Sequence, residues 1–295
     1  MDEFEIKNQV REFYDQVGWK QVSDGVYQNA RYEDLRQVSK EYIQRCHMRV
    51  KRFLAAEGDY LLDAGSGPVQ YPEYLTYSQD YRFRVCADIS ITALMEARQR
   101  LGDRGLYVVC DIAHLPFKRE VFDGIVSLHA IHHIPYENQP NAYLNLYRVL
   151  KAGKSAAIVN AWNHSSLMAR LKWLMFLMER LNGLVNRLTH PKPKEEPEPA
   201  IGSLRRPKAP PTGTYAQHYD AATLMGEFVR YKIPAEISPW RSLSVQFLRA
   251  VIHPRLGGGA LLRMVYNLEE KYPHFFGRNG QYPLIIIRKP EQESS

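Results

Sequence analysis

The stretch Leu61-Leu62-Asp63-Ala64-Gly65-Ser66-Gly67-Pro68 decides the fold of this chain. The two leucines predict a buried strand, and the two glycines after Asp63 permit the sharp turn by which a parallel strand passes into a helix. Pro68 suits the first turn of that helix, because its missing N–H is not needed there. A carboxylate beside exposed backbone N–H groups forms a polar pocket, so the stretch predicts a site for a nucleotide-like ligand.

Two ligand classes compete for this loop. A dinucleotide fingerprint reads G-x-G-x-x-G, but Gln70 stands in place of the third glycine, which disfavours an NAD-dependent oxidoreductase. The loop of S-adenosylmethionine-binding proteins is commonly written acid-x-G-x-G, and residues 63–67 fit that form. Any strand-to-helix turn can use such glycines, so the choice depends on the rest of the chain.

Composition sets the broad class. The 295 residues carry 39 Lys and Arg against 32 Asp and Glu, a net charge of +7. This mild basic excess permits an anionic partner and is equally typical of an ordinary basic surface. The start of the chain is acidic rather than apolar, and no apolar run reaches the roughly 20 residues that span a bilayer. Three cysteines without metal-ligand spacing favour a reducing cytoplasm and predict no metal site.

Strand and helix patterns alternate from residue 58 onward, which predicts βαβ units and a parallel sheet covered on both faces. Strands are predicted at 60–63, 83–87, 106–110, 124–127 and 155–160. Helices are predicted near 72 and at 92–100 and 138–150. Two further helices, 4–17 and 33–57, precede the alternation, and the second has a basic face on which a phosphate contact is an alternative to plain solvation.

The C-terminal half begins with the most apolar helix, residues 165–188. Its leucines recur in steps of three and four, and we expect burial against the chain itself, with a second copy or a lipid surface as alternatives. Residues 189–213 are rich in proline and charge and predict a linker or flap. Helices at 220–231, 245–252 and 260–272 and strands at 235–239 and 282–288 complete the chain.

Polar side chains follow four successive predicted strands. Asp63, Asp88 and Asp111 end the first three, and His129 follows the fourth. Because ligands of open α/β sheets bind at the carboxyl ends of the strands, we expect these side chains to surround one site.

Each aspartate has a role that its chemistry suggests. Asp88 is placed to accept hydrogen bonds from both ribose hydroxyls. Asp111 with the N–H of Ile112 can recognise an adenine amino edge, while Ile89 and Ile112 enclose the ring. Asp63 can hold the amino-acid end of the cofactor. One of the three could instead cap a helix, as Ser90 and Thr92 could.

With these residues in place, the chain resembles class I S-adenosylmethionine-dependent methyltransferases over residues 58–162. It is most similar to the small-molecule branch that includes the ubiquinone and menaquinone biosynthesis enzymes. The matching pieces are Leu61–Gly67, Ala87–Ser90, Cys110–Phe117, Phe122–His129, Ile131–Pro135 and Arg148–Lys154. One departure is Val69, where the family loop often has another glycine.

The resemblance implies an α/β fold: a Rossmann-like, seven-stranded, mostly parallel sheet whose last strand is antiparallel. It divides the chain into an N-terminal helical lid (1–57), the cofactor-binding core (58–162), a helix with a Pro-rich flap (163–218) and the rest of the core (219–295). S-adenosylmethionine is the implied cofactor. The implied cofactor-binding residues are Tyr14, Asp63, Ala64, Gly65, Ser66, Gly67, Asp88, Ile89, Asp111, Ile112, Leu128 and His129.

The implied activity is methyl transfer to a hydroxyl, carbon or amine of a small-molecule acceptor, which could be apolar, lipid-linked, a sugar or a natural product. A hydroxyl acceptor needs a base, and histidine is the usual choice near neutral pH. His133 and His218 are the candidate catalytic residues, although the pair that matches His132 and His133 is often structural in the family.

Other functions stay open at this point. A DNA substrate is excluded, since residues 127–130 read Ser-Leu-His-Ala rather than the Asn/Asp-Pro-Pro-aromatic motif. RNA is disfavoured, and a non-catalytic S-adenosylmethionine-binding or scaffold protein is the main alternative. Lipid contact and a homo-oligomer through the 165–188 helix are further predictions.

Overall fold

A seven-stranded β-sheet forms the centre of the computed structural model, which describes residues 2–19, 21–23, 26–27, 33–189 and 214–291. Strands β1 (Gln21–Ser23) and β2 (Val26–Tyr27) pair separately as a small hairpin. The sheet itself contains β3 (Gly58–Ala64), β4 (Tyr81–Asp88), β5 (Gly105–Val109), β6 (Gly124–Leu128), β7 (Ser155–Val159), β8 (Ala235–Arg241) and β9 (Tyr282–Arg288). Their order is β5-β4-β3-β6-β7-β9-β8, and β9 alone runs antiparallel to the other six. The predicted Rossmann-like sheet is therefore confirmed.

Ten α-helices are found in the described part of the chain, and most flank this sheet. They are α1 (Glu3–Phe13), α2 (Gln37–Met48), α3 (Pro72–Leu75), α4 (Ile91–Leu101), α5 (Gln139–Val149), α6 (Ser166–Thr189), α7 (Ala221–Arg230), α8 (Val245–Val251), α9 (Gly258–Lys271) and α10 (Pro273–Asn279). The predicted helix at 33–57 is wrong in extent, because α2 is followed by a separate 3-10 turn, Val50–Phe53. Sequence reasoning missed α10, because Pro273 opens this helix instead of ending the one before it.

Alternation of side chains along the strands explains why both faces of the sheet are covered. Leu62 points to one face with Val85 and Ile125, whereas Leu61 points to the other with Cys86 and Val126. Both leucines are fully buried. With two apolar faces, the sheet can present polar groups to a ligand at its strand ends.

Ion pairs neutralise much of the basic face that was predicted for the second helix. Arg49 is buried and binds Glu269 through Nη1 at 2.9 Å and Glu270 through Nε at 2.8 Å. Arg52 Nη1 reaches Glu270 at 2.5 Å. These pairs tie α2 to α9, which leaves less positive charge for an RNA backbone than the sequence pattern indicated.

Helix α6 is only half as buried as expected. Its residues Leu171, Leu174 and Met175 pack against the cluster that includes α8. On the opposite face, Trp173 is 66% exposed and Phe176 56% exposed. The helix predicted at 165–188 is thus confirmed, and its expected burial against the chain itself holds for one face of the described part. The predicted flap lies almost wholly outside the described residues, and no helix within them is long and apolar enough to cross a membrane.

Candidate active site

A cavity opens where β3, β4 and β6 end, and we call it the first cavity. Eleven of the twelve predicted cofactor-binding residues line it. The exception is Ala64, whose side chain is fully buried in the core cluster. The structure therefore brings together side chains that the sequence scatters over more than a hundred positions.

The glycine loop makes room at the floor of the first cavity. Gly65 and Gly67 have φ of 72° and 53°, the left-handed region that glycine adopts without strain. A Cβ on Gly65 would lie 2.2 Å from the Cβ of Ala130, and one on Gly67 would lie 2.9 Å from the Trp19 ring. Both positions therefore require glycine for shape as well as for backbone conformation.

Val69 keeps the left-handed conformation that the resemblance assigns to a glycine. Its φ is 53° and its side chain is fully buried. A β-branched residue is strained in this region. The guanidinium of Arg100 donates to the carbonyl oxygens of Val69 and Gln70, at 3.2 and 3.1 Å, and holds the turn in place.

Asp63 lies in the wall of the first cavity but is already paired. Its Oδ2 accepts hydrogen bonds from Arg84 Nε at 3.0 Å and Nη2 at 2.5 Å, and both side chains are buried. Only Oδ1 is left for the amino-acid end of a cofactor. Sequence reasoning missed Arg84, because a lone arginine inside an apolar strand carries no motif.

Asp88 turns both carboxylate oxygens toward backbone N–H groups. Oδ2 accepts from Gly67 N and Oδ1 from Ser90 N, each at 2.8 Å. Burial raises the pKa of Asp88 to about 6, because desolvation outweighs these two hydrogen bonds. Among the described residues no cationic side chain pairs with Asp88, so a ligand with hydroxyl donors would meet a carboxylate that accepts only from backbone N–H groups.

Asp111 caps the 3-10 turn at 112–114, as the capping alternative foresaw for one aspartate. Oδ1 accepts from Ala113 N at 2.8 Å, and Oδ2 contacts Lys7 Nζ at 2.6 Å. Burial by itself would raise the pKa of Asp111, but the hydrogen bonds from Lys7, Ala113 and His114 leave it below its usual value. Lys7 also bridges to Glu3, so α1 brings its own charge to the predicted adenine end.

Helix α1 covers the first cavity. A capping box of Asp2 and Glu5 starts the helix, which continues into a π-helical turn at Tyr14–Gly18. Ser90 Oγ donates to Asp15 at 2.5 Å, and the ring of Trp19 stacks on that of Tyr14 at 5.1 Å. Together with the Lys7–Asp111 pair, these contacts fix α1 to the loops that follow the strands.

A second cavity adjoins the first. The two share five wall residues: Tyr14, Gln70, Tyr74, His129 and His133. The second predicted catalytic residue, His218, lines this second cavity and not the first.

His133 stands at the junction with a defined tautomer. Its Nδ1 lies 2.7 Å from the carbonyl oxygen of Tyr215, which can only accept, so Nδ1 carries the proton. Nε2 then has a free lone pair and accepts the hydroxyl of Tyr14 at 2.7 Å. Burial lowers the pKa of His133 to about 4, which keeps the ring neutral near pH 7.

The other histidines differ in their contacts. His132 Nδ1 donates to Asn160 Oδ1 at 2.8 Å, a structural bond inside the protein. His129 has φ of 55° and lies edge-on to the Trp240 ring at 4.9 Å. Burial lowers the pKa of His129 to about 3. Of the four, His133 alone is hydrogen-bonded to a tyrosine that both cavities share.

Several wall residues of the second cavity escaped the sequence analysis, among them Glu33, Thr214 and Arg241. Glu33 and Arg241 form a buried ion pair between positions that are 208 residues apart. No local pattern announces such a pair. The tyrosines 71 and 74, close to the glycine loop, were the one signal available.

The chain was compared with known proteins. Residues 62–158 match the family model described as a methyltransferase domain. No curated protein sequence matches the chain. Solved structures of similar fold include the [4+2]-cyclase SpnF, with 19% identity, 97% of each chain covered and a TM-score of 0.51. Geranyl diphosphate C-methyltransferase from Streptomyces coelicolor A3(2) has 13% identity, 96% and 98% coverage of this chain and that one, and a TM-score of 0.54.

A third similar structure is phosphoethanolamine N-methyltransferase 1 from Haemonchus contortus. It has 12% identity and a TM-score of 0.55, and it covers 100% of this chain, which spans 51% of that one. At these identities the likeness shows the fold.

Residues 62–158 thus match a methyltransferase domain, and the sheet order and the glycine loop agree with that match. The first cavity fits S-adenosylmethionine, the cofactor that the resemblance implies: it has room made by two glycines, a buried carboxylate at Asp88 and apolar walls from Ile89 and Ile112. These features favour sulfonium over nicotinamide chemistry, the choice that the loop left open.

Proposed function

We propose that the chain methylates a small-molecule acceptor that binds in the second cavity. The observation that carries this is the shared wall of the two cavities, where Tyr14 and His133 face both. Two of the similar structures are named for small-molecule methylation, of geranyl diphosphate and of phosphoethanolamine, which supports an acceptor of that size. Membership of the ubiquinone and menaquinone branch stays a prediction.

The cofactor would be held by the residues that line the first cavity. Asp88 would accept from the ribose hydroxyls in place of the Gly67 N–H. Asp111 would receive the adenine amino edge between Ile89 and Ile112. The free oxygen of Asp63 would take the amino-acid end. When bound there, S-adenosylmethionine supplies an electrophilic methyl group.

We propose His133 as the base for a hydroxyl acceptor. Its Nε2 lone pair points to the Tyr14 hydroxyl, so Tyr14 Oη can take the acceptor's proton while it gives its own to Nε2. The lowered pKa of His133 keeps that lone pair available at neutral pH. His218 is the second candidate, since it lines the second cavity beside His132, with ring centroids 4.6 Å apart.

Exclusion of water is the other contribution that we assign to the protein. The contacts of Lys7 with Asp111 and of Asp15 with Ser90 hold α1 across the first cavity. A closed lid protects a reactive sulfonium centre and strengthens the interactions around it. We therefore propose that residues 1–57 act as a lid and that α1 moves when the cofactor enters or leaves.

Methyl transfer from radiolabelled S-adenosylmethionine to a panel of hydroxyl, amine and carbon acceptors tests this proposal. We expect His133→Asn to lower kcat by about 10²–10⁴-fold for a hydroxyl acceptor, the usual contribution of a general base. Its affinity for S-adenosylhomocysteine should change little.

The matched control is His164→Asn, because His164 is exposed and lies outside the residues that line either cavity. If His133→Asn keeps full turnover, the base assignment is wrong. If the wild-type protein binds S-adenosylhomocysteine and methylates nothing across the panel, the result favours a non-catalytic S-adenosylmethionine-binding or scaffold protein.

The exposed face of α6 is a candidate contact surface, and we propose that it meets a lipid surface or a second copy of the chain. Trp173, Phe176 and Leu177 form its apolar part, and Arg180 lies over the Phe176 ring at 4.4 Å. Sedimentation velocity with and without anionic vesicles separates the two. A cytoplasmic setting is proposed on the three free cysteines.

A further inference from the structure

The second cavity contains balanced charge. Among the described residues that line it, Glu33 and Arg241 are the ionised side chains, and they bind each other through Oε1 and Nη1. Burial opposes the charge on Glu33, but Arg241 and His47 lower its pKa to about 2, so the carboxylate stays ionised. The histidines in the wall are neutral because burial lowers their pKa values.

Among the described residues of this wall, a phosphate group would find no cationic side chain that lacks an acidic partner. To bind Arg241 it would have to displace Glu33, and that would leave a buried carboxylate without its partner. Recognition of phosphate ordinarily uses an unpaired arginine or lysine. The wall of the second cavity thus disfavours the phosphorylated acceptors for which two similar structures are named.

Four buried polar atoms in this wall have no hydrogen-bond partner among the residues that the structure describes. They are Gln70 Oε1, Thr214 Oγ1, His218 Nδ1 and Arg241 Nε. Buried polar atoms are nearly always paired, and Arg241 itself is only 2% exposed. The set contains both donors and acceptors, which suits hydroxyl or carbonyl oxygens of a ligand.

Aromatic rings supply much of the rest of the wall. Phe13, Tyr14, Tyr71, Tyr74 and Tyr282 all line the second cavity. Their faces favour a flat or ring-shaped apolar body. The ring faces and the partnerless hydrogen-bonding atoms of this wall fit a molecule that combines a ring with hydroxyl or carbonyl groups.

We infer that the acceptor is an uncharged, hydroxylated ring compound, held by Gln70, Thr214, His218 and Arg241, and that phosphate esters are rejected. This rests on the proposed function, which makes the second cavity the acceptor site. An aromatic ring and a sugar ring share this chemistry, and the experiment separates them.

The test is calorimetric titration of the protein saturated with S-adenosylhomocysteine, with probes in matched pairs. One pair is 1-naphthol and 1-naphthyl phosphate, and the other is methyl glucoside and glucose 6-phosphate. We expect at least one uncharged member to bind at least tenfold more tightly than its phosphate. If 1-naphthol binds more tightly than methyl glucoside, the acceptor is aromatic. If methyl glucoside binds more tightly, the acceptor is a sugar. Equal or tighter binding of the phosphates, or binding of no probe, overturns the inference.

Two variants, each of which removes one hydroxyl group, sharpen the result. Thr214→Val keeps the shape of the side chain and removes one partnerless hydroxyl, so it should weaken the uncharged probe several-fold. Tyr81→Phe is the matched control, because its buried hydroxyl also lacks a partner but lies at the opposite end of β4 from Asp88. If Thr214→Val and Tyr81→Phe change the affinity for the uncharged probe equally, the assignment of Thr214 to the acceptor site is wrong.

Glu33→Gln adds a test of the opposite sign. Without the carboxylate, Arg241 is free to bind an anion, so the phosphate probes should gain affinity while the uncharged ones do not. A variant that fails to fold leaves the decision with Thr214→Val and the wild-type titration. Turnover is measured apart from binding: an uncharged probe that binds as expected and is never methylated contradicts the proposed function and not this inference.

Discussion

The first cavity draws most of its wall from four short stretches at the ends of strands, to which the N-terminal helical segment adds Lys7, Val10, Tyr14 and Trp19. The second cavity draws its wall from positions spread between Phe13 and Tyr282. In the first, the backbone of the sheet sets the position of Asp63, Asp88 and His129, so local sequence is enough. In the second, Glu33 and Arg241 meet only because α2, β8 and the loops around them pack together. A cofactor common to many proteins is met by local geometry, and an acceptor particular to one protein is met by tertiary packing.

The largest effect should come from Gly65→Ala in the first cavity. The new Cβ combines a left-handed backbone penalty of about 1–2 kcal/mol with a clash against Ala130 at 2.2 Å, which costs about 1–3 kcal/mol more as overpacking. We expect a large drop in the unfolding midpoint and loss of measurable S-adenosylhomocysteine binding by calorimetry.

Gly102→Ala is the control for that experiment. Gly102 also has a positive φ, 55°, but a Cβ there would meet nothing within 4 Å. It should lose about 1–3 kcal/mol of stability for its backbone conformation alone and keep its cofactor affinity. If the two variants bind S-adenosylhomocysteine equally well, the loop at Gly65 does not shape the first cavity.

A smaller effect is expected at Asp88. Asp88→Ala should weaken S-adenosylhomocysteine by about 1–3 kcal/mol, the value of hydrogen bonds to a charged group. Hydroxyl donors need the ionised carboxylate, and its pKa is about 6 in the cofactor-free protein. Affinity should therefore be full above pH 7 and fall as the pH drops below 6, because protonation then competes with binding.

Titrations from pH 5 to pH 8 check this window. Asp88→Asn should remove the pH dependence, whereas Asp111→Asn should retain it, because the pKa of Asp111 is lowered and that carboxylate stays ionised throughout. An affinity that does not change with pH in the wild-type protein would contradict the ribose assignment.

The same contrast explains what sequence reasoning achieved. The final strand was predicted with its observed bounds, 282–288, because a run of four buried apolar residues between polar ends has one sensible reading. The first cavity followed from acids at strand ends. Lys7 at Asp111 and Arg84 at Asp63 were missed, because an ion pair between distant segments leaves no periodic trace.

The second cavity could be anticipated only through its ligand, a small-molecule acceptor that could be apolar. Its histidines were visible in the sequence, but their tautomers and neutrality depend on a carbonyl from Tyr215 and on burial. Which of its polar atoms lack a hydrogen-bond partner can be seen only in the folded structure. What stays unpredictable from sequence is therefore the half of the site that would set specificity.

The smallest effect, and the sharpest for the loop itself, concerns Val69. Val69→Gly relieves a left-handed penalty of about 1–2 kcal/mol and loses a buried side chain worth about 1.5–3 kcal/mol, so the unfolding free energy should change by about 1 kcal/mol. Val126→Gly removes an equally buried valine from β6, an ordinary strand, with no strain to relieve. Chemical denaturation should show Val126→Gly to be the more destabilising of the two. Equal losses would mean that Val69 is unstrained, and the glycine expected at this position by resemblance would then have no energetic basis in this chain.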